Sequence, residues 1–373
     1  MSFAGILLLA SSTLLNMPQA QEKTAKEPGM NTKKTETVWV DACSLTIEGR
    51  GFTDMDSPYD RLPGRAKGVV PEDVWNMSRQ PSGMTIRFMT DAKRIKADLT
   101  IHSRDKLLPS MTVQGAEGLD CYGRDSTGKW CWAGSLNTGH DTSTHITAAI
   151  HEGELDGKKR EYAVYLPLCS KVDKLRIGTE GGTLLEPVVR MKQKPVVYYG
   201  TSIAQGVTAT RPGMSHIAIL GRRLGIPFVN AGFSGCGRMD STVVSFLGEI
   251  DASLFIIDCL PNMGDKVTEK TVMTIEQLRR MHPATPILFI GDRLFGNASF
   301  VPVMMQIKKD RDAAQRQGIE QCKKQGIKGL HLFDNPNTFG NDFEGNADGS
   351  HASDLGSMRF AQALAPVISK LVK

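Results

Sequence analysis

The amino-acid sequence predicts a two-domain protein in which a β-sandwich precedes a doubly wound α/β domain. Its 373 residues exceed the size at which a single hydrophobic core usually stops growing. Short segments that alternate polar and apolar residues fill the chain between Thr37 and Val189, whereas apolar strands alternate with helical stretches from Pro195 onward. This change of pattern predicts an accessory domain over 37–190 and a second domain over 191–373.

The first domain is predicted to be a β-sandwich because its apolar residues recur with the period of a half-buried strand. Turn residues separate these segments at short intervals, and no long amphipathic helix intervenes. The predicted strands lie within residues 84–90, 95–103, 145–151, 161–168 and 174–180.

The second domain contains nearly continuous apolar strands, which are typical of a parallel sheet covered on both faces. Residues 217, 220, 221 and 224 follow the spacing of an amphipathic helix, and the stretch from Ala361 to Ile368 repeats it, with Pro366 as an expected kink. The predicted strands lie within 196–200, 227–232, 254–259, 286–292 and 329–334.

The N-terminal residues differ from the rest of the chain. An apolar run from Phe3 to Leu15 precedes Ala20 and a polar stretch, an order typical of a secretory signal peptide over 1–20 followed by a linker over 21–36. No Lys or Arg precedes the apolar run, and a buried N-terminal helix is the alternative interpretation. The signal predicts a secreted or periplasmic protein without stable membrane insertion after cleavage.

Composition and cysteine spacing exclude several classes of partner and cofactor. The 45 basic and 40 acidic residues are scattered, giving a net charge of +5 without a basic helix, so nucleic acid is not an expected partner. Seven cysteines form no CxxC pair, and the histidines show no metal-ligand spacing, so no metal or other cofactor is expected. Cys121 and Cys131 are spaced for a disulfide across a local hairpin, whereas Cys259 reads as a buried thiol.

Three polar residues follow strand ends in an order that suits nucleophilic catalysis. Ligands of open α/β sheets bind outside the carboxyl ends of the strands, and Ser202 comes directly after the first one. A serine nucleophile needs a base, and the base needs an orienting carboxylate. Asp348 and His351 supply both groups after the last strand, although a polar turn and a loop histidine are the ordinary interpretations of each alone.

Two further strand ends carry groups that can stabilise an oxyanion. The string "NAGFSGCG" after the second strand allows an exposed amide at Gly235, and "DCLPNMG" after the third provides the Asn262 side chain. Acyl transfer needs such donors aimed at the developing negative charge. Each string alone is also a plausible turn, so the argument rests on the combination.

These five residues resemble the four sequence blocks of the SGNH hydrolases, the GDSL-type esterase and lipase superfamily. The resemblance covers the second domain and implies a flavodoxin-like, three-layer α/β/α fold. It implies that Ser202 is the nucleophile, His351 its base and Asp348 the orienting carboxylate. It also implies an oxyanion hole formed by the Ser202 amide, the Gly235 amide and the Asn262 side chain.

The neighbouring strings resemble the two-domain bacterial members of this superfamily, whose N-terminal, jelly-roll-like sandwich carries a GxDLY motif. Here "GLDCYGRD" supplies Gly118, Asp120 and Tyr122, with Cys121 in place of the motif's leucine. The nucleophile block reads Gly-Thr-Ser instead of Gly-Asp-Ser. A further departure is Cys236, which follows the oxyanion glycine where a polar residue is expected. The resemblance therefore does not determine which side chains line the pocket.

Three residues are candidates for contacts with the substrate. Arg211 and His216 follow the nucleophile closely, and Cys236 follows Gly235 directly. The alternatives are that Arg211 starts a helix and that His216 is an ordinary helix residue.

The sequence therefore predicts an exported carboxylic-ester hydrolase that removes small acyl groups, with acetyl expected first, from an acylated small molecule or glycan. The glycan preference rests on analogy with two-domain exported enzymes. One alternative is an acyltransferase or a lipid or thioester hydrolase using the same serine. The other is an exported carbohydrate-binding protein that has lost its activity, which the intact set of five residues argues against.

Overall fold

The computed structural model describes residues 36–104, 107–136 and 143–372. The predicted signal peptide, its cleavage site near Ala20, the alternative N-terminal helix and all but the last residue of the linker lie outside these ranges. Within them, no helix has the length and apolar character needed to cross a membrane.

The described residues form fifteen strands and eight α-helices. The strands are β1 Thr37–Asp41, β2 Thr46–Glu48, β3 Thr85–Thr90, β4 Lys96–Ile101, β5 Leu119–Arg124, β6 Trp130–Leu136, β7 His145–Ala149, β8 Arg160–Tyr165, β9 Val172–Glu180, β10 Leu185–Pro187, β11 Val196–Gly200, β12 Phe228–Gly232, β13 Leu254–Asp258, β14 Ile287–Ile290 and β15 Leu330–Phe333. The α-helices are α1 Glu72–Ser78, α2 Val113–Glu117, α3 Ser202–Gln205, α4 His216–Leu224, α5 Ser241–Leu247, α6 Val267–Met281, α7 Pro302–Lys324 and α8 Asp354–Leu371. Short 3-10 helices cover Ala42–Ser44, Gly64–Ala66, Pro212–Met214 and Leu260–Asn262.

The first ten strands form the predicted sandwich. One antiparallel sheet has the order β1-β9-β4-β7, and the other has the order β10-β3-β8-β5-β6 with β2 also paired to β3. Apolar side chains from both sheets share one core, including Leu99 and Ile177 from the first and Ile86, Phe88 and Val164 from the second. The five predicted segments contain β3, β4 and β7 and most of β8 and β9, whereas the sequence does not predict β1, β2, β5, β6 and β10 as strands.

The remaining strands form a parallel sheet of order β12-β11-β13-β14-β15, which confirms the predicted α/β fold. Helices α4 and α8 pack on one face, and α5, α6 and α7 on the other. After β11 the chain forms β12 on one side of β11 and then β13 on the other side. The sheet therefore reverses its direction of winding beside β11. The carboxyl ends of β11, β12 and β13 therefore meet at the switch point where α/β proteins bind ligands.

A segment between β2 and β3, residues 49–84, departs from the predicted run of short strands. Most of its buried apolar side chains, including Phe52, Leu62 and Trp75, join the core of the α/β layer beside β12 and α5, whereas Tyr59 and Met84 belong to the sandwich core. The sequence offered no periodic signal here because most of the segment is irregular backbone. Its apolar residues are consequently fixed by tertiary contacts and not by a repeating pattern.

The side chain of Arg61 in this segment closes the open edge of the parallel sheet. The guanidinium is buried and donates hydrogen bonds to the carbonyl oxygens of Met77, Asn230 and Gly232. Its Cζ also lies 4.8 Å from the ring centroid of Phe233. Because β12 is an edge strand, the carbonyl groups of Asn230 and Gly232 have no neighbouring strand to bond to on that side, and Arg61 takes that place.

Replacing Arg61 with Met is expected to lower the free energy of unfolding by about 2–3 kcal/mol, because buried carbonyl oxygens lose their donor. Urea unfolding of the two proteins measures the difference. Arg65→Met is the matched control, since Arg65 pairs with Asp54 and Glu249 at the surface and exposed ion pairs contribute little to stability. An equal loss in both variants would contradict the edge-capping role.

All seven cysteines lie among the described residues, and each is a free thiol. The disulfide considered between Cys121 and Cys131 is therefore absent. The strand register pairs Cys121 with Gly134 and Cys131 with Gly123, and Cys121 faces the core while Cys131 is exposed. Cys259 is fully buried, as predicted.

Candidate active site

Ser202 lies where β11 turns into the short helix α3. Thr201 caps this helix, since its hydroxyl oxygen accepts a hydrogen bond from the Ile203 amide at 3.3 Å. Gly206 ends the helix with a φ of 90°, a left-handed conformation that favours glycine. The threonine that replaces the family's aspartate thus still supplies the oxygen acceptor that orders the turn around Ser202.

A continuous chain of hydrogen bonds joins Ser202, His351 and Asp348. The Ser202 Oγ lies 2.7 Å from His351 Nε2, and His351 Nδ1 lies 2.8 Å from Asp348 Oδ2. When Nδ1 carries the proton toward the carboxylate, Nε2 presents a lone pair to the serine hydroxyl. The side chains that the sequence predicts to act together therefore meet at hydrogen-bonding distance, although 149 positions separate the serine from the histidine.

The spacing of Asp348 and His351 has a local structural reason. Asp348 Oδ1 accepts hydrogen bonds from the amides of Ser350, at 3.2 Å, and His351, at 2.9 Å, so the carboxylate closes the turn that carries the imidazole. Burial raises the pKa of Asp348, but hydrogen bonds from the His351 amide, the Ser110 hydroxyl and the His351 ring together lower this pKa by more than burial raises it. The net pKa lies well below its usual range, so the group is ionised at neutral pH.

Three hydrogen-bond donors beside Ser202 have no partner among the described residues. They are the amides of Ser202 and Gly235 and the Asn262 Nδ2, which is buried. Gly235 adopts a φ of 75°, and its Cα faces open space. Because buried polar groups are nearly always paired, the unpaired Asn262 Nδ2 points to a ligand atom that accepts from it, and Ser202 and Gly235 line the same cavity.

Gln205 connects the nucleophile helix to the loop that carries Gly235. Its Oε1 accepts a hydrogen bond from the Ser234 amide at 2.9 Å. Its Nε2 donates to Gln80 Oε1 at 2.6 Å and to the Leu168 carbonyl oxygen at 2.9 Å. Both partners of Nε2 lie in the part of the chain that precedes the parallel sheet, which therefore helps to hold the loop that carries Gly235 in place.

A cavity of about 280 Å³ opens at Ser202 and His351. The sequence predicted four of its lining residues, Ser202, Gly235, Asn262 and His351. It did not predict the apolar side chains that form its walls. Residues lining the cavity are Leu108, Ser202, Ile203, Ser234, Gly235, Pro261, Asn262, Asp292, Arg293, Leu294, Phe295, Ser350 and His351.

Arg211, a candidate for substrate contact, lies outside this cavity. Its Nη1 donates to Asp120 Oδ2 at 2.6 Å and to the Tyr122 hydroxyl at 2.7 Å. Asp120 also accepts from the Gly213 amide at 2.9 Å and from Trp132 Nε1 at 2.8 Å. The GxDLY-like motif thus fastens the sandwich to the loop that follows α3, and Arg211 serves this attachment.

The other two candidates for substrate contact are also placed elsewhere. His216 is buried among aromatic rings, and burial together with the charge of Arg293 lowers its pKa to about 3, so it is a neutral core residue. The Cys236 thiol is buried and contacts the Ser234 carbonyl oxygen at 3.3 Å. Burial raises the pKa of this thiol to about 12. Neither residue lines the cavity.

No group of three or more His, Cys, Asp and Glu side chains in the described part of the chain is arranged to hold a metal ion. Asp348 and His351 are of residue types that can bind metal ions, but their side chains are bonded to each other.

Comparisons with known proteins agree with this geometry. The model of the GDSL-like lipase/acylhydrolase family matches residues 193–369, and the GxDLY model, described as the N-terminus of SGNH-hydrolase-type esterases, matches residues 37–185. Among solved structures, a GDSL-like lipase from Bacteroides ovatus is 31% identical, with a TM-score of 0.84, 90% of this chain covered and 98% of the other.

Two more distant structures share the fold. The salicylyl-acyltransferase SsfX3 of a tetracycline biosynthetic pathway is 18% identical, with a TM-score of 0.72 over 90% of this chain and 99% of its own. A family two carbohydrate esterase from Cellvibrio japonicus is 12% identical, with a TM-score of 0.56 over 91% and 98% of the two chains. No curated protein sequence matches. The family models and the 31% identical structure establish that this chain belongs to the GDSL-like lipase/acylhydrolase family of carboxylic-ester hydrolases.

Proposed function

We propose that the protein is an exported serine esterase that removes small acyl groups, acetyl first, from a carbohydrate. The observation that carries the proposal is the hydrogen-bonded chain from Ser202 Oγ through His351 to Asp348. A serine, an imidazole and a carboxylate in this arrangement form the triad that acyl-transfer enzymes on unrelated folds share.

The first half of the reaction forms an acyl-enzyme. His351 Nε2 takes the proton from Ser202 Oγ as the oxygen attacks the ester carbonyl carbon. The carbonyl oxygen becomes an oxyanion, which accepts hydrogen bonds from the Ser202 amide, the Gly235 amide and the Asn262 side chain. His351 then gives its proton to the leaving alcohol, the carbon–oxygen bond of the ester breaks, and the acyl group stays on Ser202.

The second half of the reaction repeats the proton transfers with water. His351 removes a proton from a water molecule as its oxygen attacks the acyl-enzyme, and the same donors hold the oxyanion. The proton then returns to Ser202 Oγ, releasing the carboxylic acid. Throughout, ionised Asp348 keeps the proton of the neutral imidazole on Nδ1 and stabilises the imidazolium.

The proposed substrate class and location rest on several independent features. Residues 37–190 and 191–373 are proposed as the accessory and catalytic domains, supported by the change from antiparallel to parallel sheets between β10 and β11. Export rests on the apolar N-terminal run, with cleavage near Ala20 and a linker over 21–36. A carbohydrate substrate is supported by the structural similarity to a carbohydrate esterase of the same two-part architecture.

The decisive experiment measures acetate release from a panel of acetylated plant and bacterial polysaccharides. Protein spanning residues 21–373 is compared with its Ser202→Ala variant, and p-nitrophenyl acetate serves as the small control ester. Release from one glycan that disappears in the variant supports the whole proposal. If only p-nitrophenyl acetate is cleaved through Ser202, the esterase chemistry stands and the glycan is wrong.

A second candidate is acyl transfer to an alcohol, which the same triad performs when an alcohol replaces water in the second half of the reaction. It is favoured by the similarity to a salicylyl-acyltransferase and by the apolar walls that Leu108, Leu294 and Phe295 give the cavity. Adding an acceptor alcohol to the p-nitrophenyl ester assay separates the two functions. A new ester formed in preference to the free acid identifies a transferase.

A further inference from the structure

A loop of the sandwich region, residues 107–112, lies beside the triad. Its two ends are fixed to the segment that follows α3. The Thr112 hydroxyl donates to the Thr210 carbonyl oxygen at 2.7 Å, and Leu107 and Met111 pack against a small apolar cluster that contains Val207 and Ala209. The loop is therefore attached to the α/β region as well as to the sandwich.

This loop delivers one polar side chain to the triad. The Ser110 Oγ donates a hydrogen bond to Asp348 Oδ2 at 2.8 Å, across 238 positions of sequence. Oδ2 is also the carboxylate oxygen nearest to His351 Nδ1, at 2.8 Å. Ser110 and the imidazole therefore share Oδ2, and because Nδ1 also lies 3.0 Å from Oδ1, the orientation of the whole carboxylate influences where the imidazole points.

Ser110 removes the freedom that the backbone leaves to the Asp348 carboxylate. The amides of Ser350 and His351 hold Oδ1, and the Ser110 hydroxyl donates to Oδ2. Because rotation about the Cβ–Cγ bond moves both oxygens together, a donor to each of them restricts this rotation more than the two amides alone. Since 28% of the Asp348 side chain is exposed, a water molecule can donate to Oδ2 when the Ser110 hydroxyl is missing. Such a water molecule does not hold Oδ2 in a fixed direction as Ser110 does.

We propose that Ser110 is a positioning residue of the active site. The sandwich region then orients the triad through Ser110 in addition to supporting the fold. The inference rests on the proposed function, since it requires that Asp348 orient His351 during catalysis. Ser110 contacts neither the substrate nor the reacting atoms, and it acts only through the carboxylate. Leu108, two residues earlier, lines the cavity, so the same loop reaches the place where the substrate binds.

The test begins with Ser110→Ala in the full exported chain, assayed with p-nitrophenyl acetate. We expect kcat to fall by about 5- to 30-fold with KM changed less than about twofold, because the lost bond orients a catalytic group and does not bind substrate. Ser110→Thr, which keeps a hydroxyl, is expected to retain most of kcat. Ser44→Ala removes another exposed sandwich hydroxyl, which bonds to the Asp41 carbonyl oxygen, and is expected to leave kcat unchanged.

A double-mutant cycle identifies the route of the effect. If Ser110 acts through Asp348, its replacement by Ala lowers kcat by less than about twofold in an Asp348→Ala background, because the group it positions is gone. An equal loss in both backgrounds, or full activity of Ser110→Ala in the native background, overturns the inference. Ser202→Ala is measured in parallel, since activity surviving that change contradicts the proposed function itself.

Discussion

Replacing Ser202 with Ala is expected to lower kcat for p-nitrophenyl acetate by about 10⁶-fold, the largest effect of any single substitution in this protein. The variant loses the atom that attacks the ester, while the backbone donors around it stay in place. His351→Ala is expected to cost about as much, because a serine hydroxyl without a base is a poor nucleophile at neutral pH. The double variant should lose little more, since the two residues act as one unit.

These variants are measured by steady-state kinetics together with thermal unfolding. Ser202→Ala loses the hydrogen bond to His351 at the surface of the cavity, so its melting temperature should change little, whereas His351→Ala also loses the bond to Asp348 and should unfold at a lower temperature. Electrospray mass spectrometry of the native protein, quenched during turnover, should show an added acyl mass that is absent in Ser202→Ala. Additive losses in the double variant would mean that the two side chains act in separate steps or in separate sites.

The residues of this site could be predicted from sequence because the fold forces them together. Parallel strands end at the same edge of a sheet, so Ser202, Gly235 and Asn262 had to approach one another once β11, β12 and β13 were recognised. The apolar runs were long enough to identify the strands, since a parallel sheet is buried on both faces. The approach of Asp348 and His351 to the same edge could be predicted once the last strand and the loop that follows it were recognised.

Other features were not predictable because they depend on irregular backbone. Arg61 reaches the edge of the parallel sheet from a segment without periodicity, and Ser110 meets Asp348 through a loop that crosses from one layer to another. Nothing in the sequence near Ser110 distinguishes it from other loop serines. The place of Arg211 outside the cavity was not predictable either, because its closeness to Ser202 in sequence says nothing about the direction of its side chain, which bonds to Asp120.

The second large effect is expected at Asn262. Replacing it with Ala should lower kcat by about 10²–10³-fold, the usual cost of removing one oxyanion donor. The side-chain Nδ2 has no partner of its own, and Asn262 lines the same cavity as Ser202 and Gly235. Its hydrogen bond is therefore made only to the reacting oxygen, and its loss should appear in kcat much more than in KM.

Stability separates this catalytic role from a structural one. Because Asn262 Nδ2 makes no hydrogen bond in the folded protein, Asn262→Ala should leave the free energy of unfolding within about 0.5 kcal/mol of the native value. Asn230→Ala is the matched control: its side chain bonds to the Ala204 carbonyl oxygen and the Gly232 amide, so its loss should destabilise the fold by about 1–3 kcal/mol. A stable Asn262→Ala variant that keeps full kcat would remove Asn262 from the oxyanion hole and leave the two backbone amides to hold the charge.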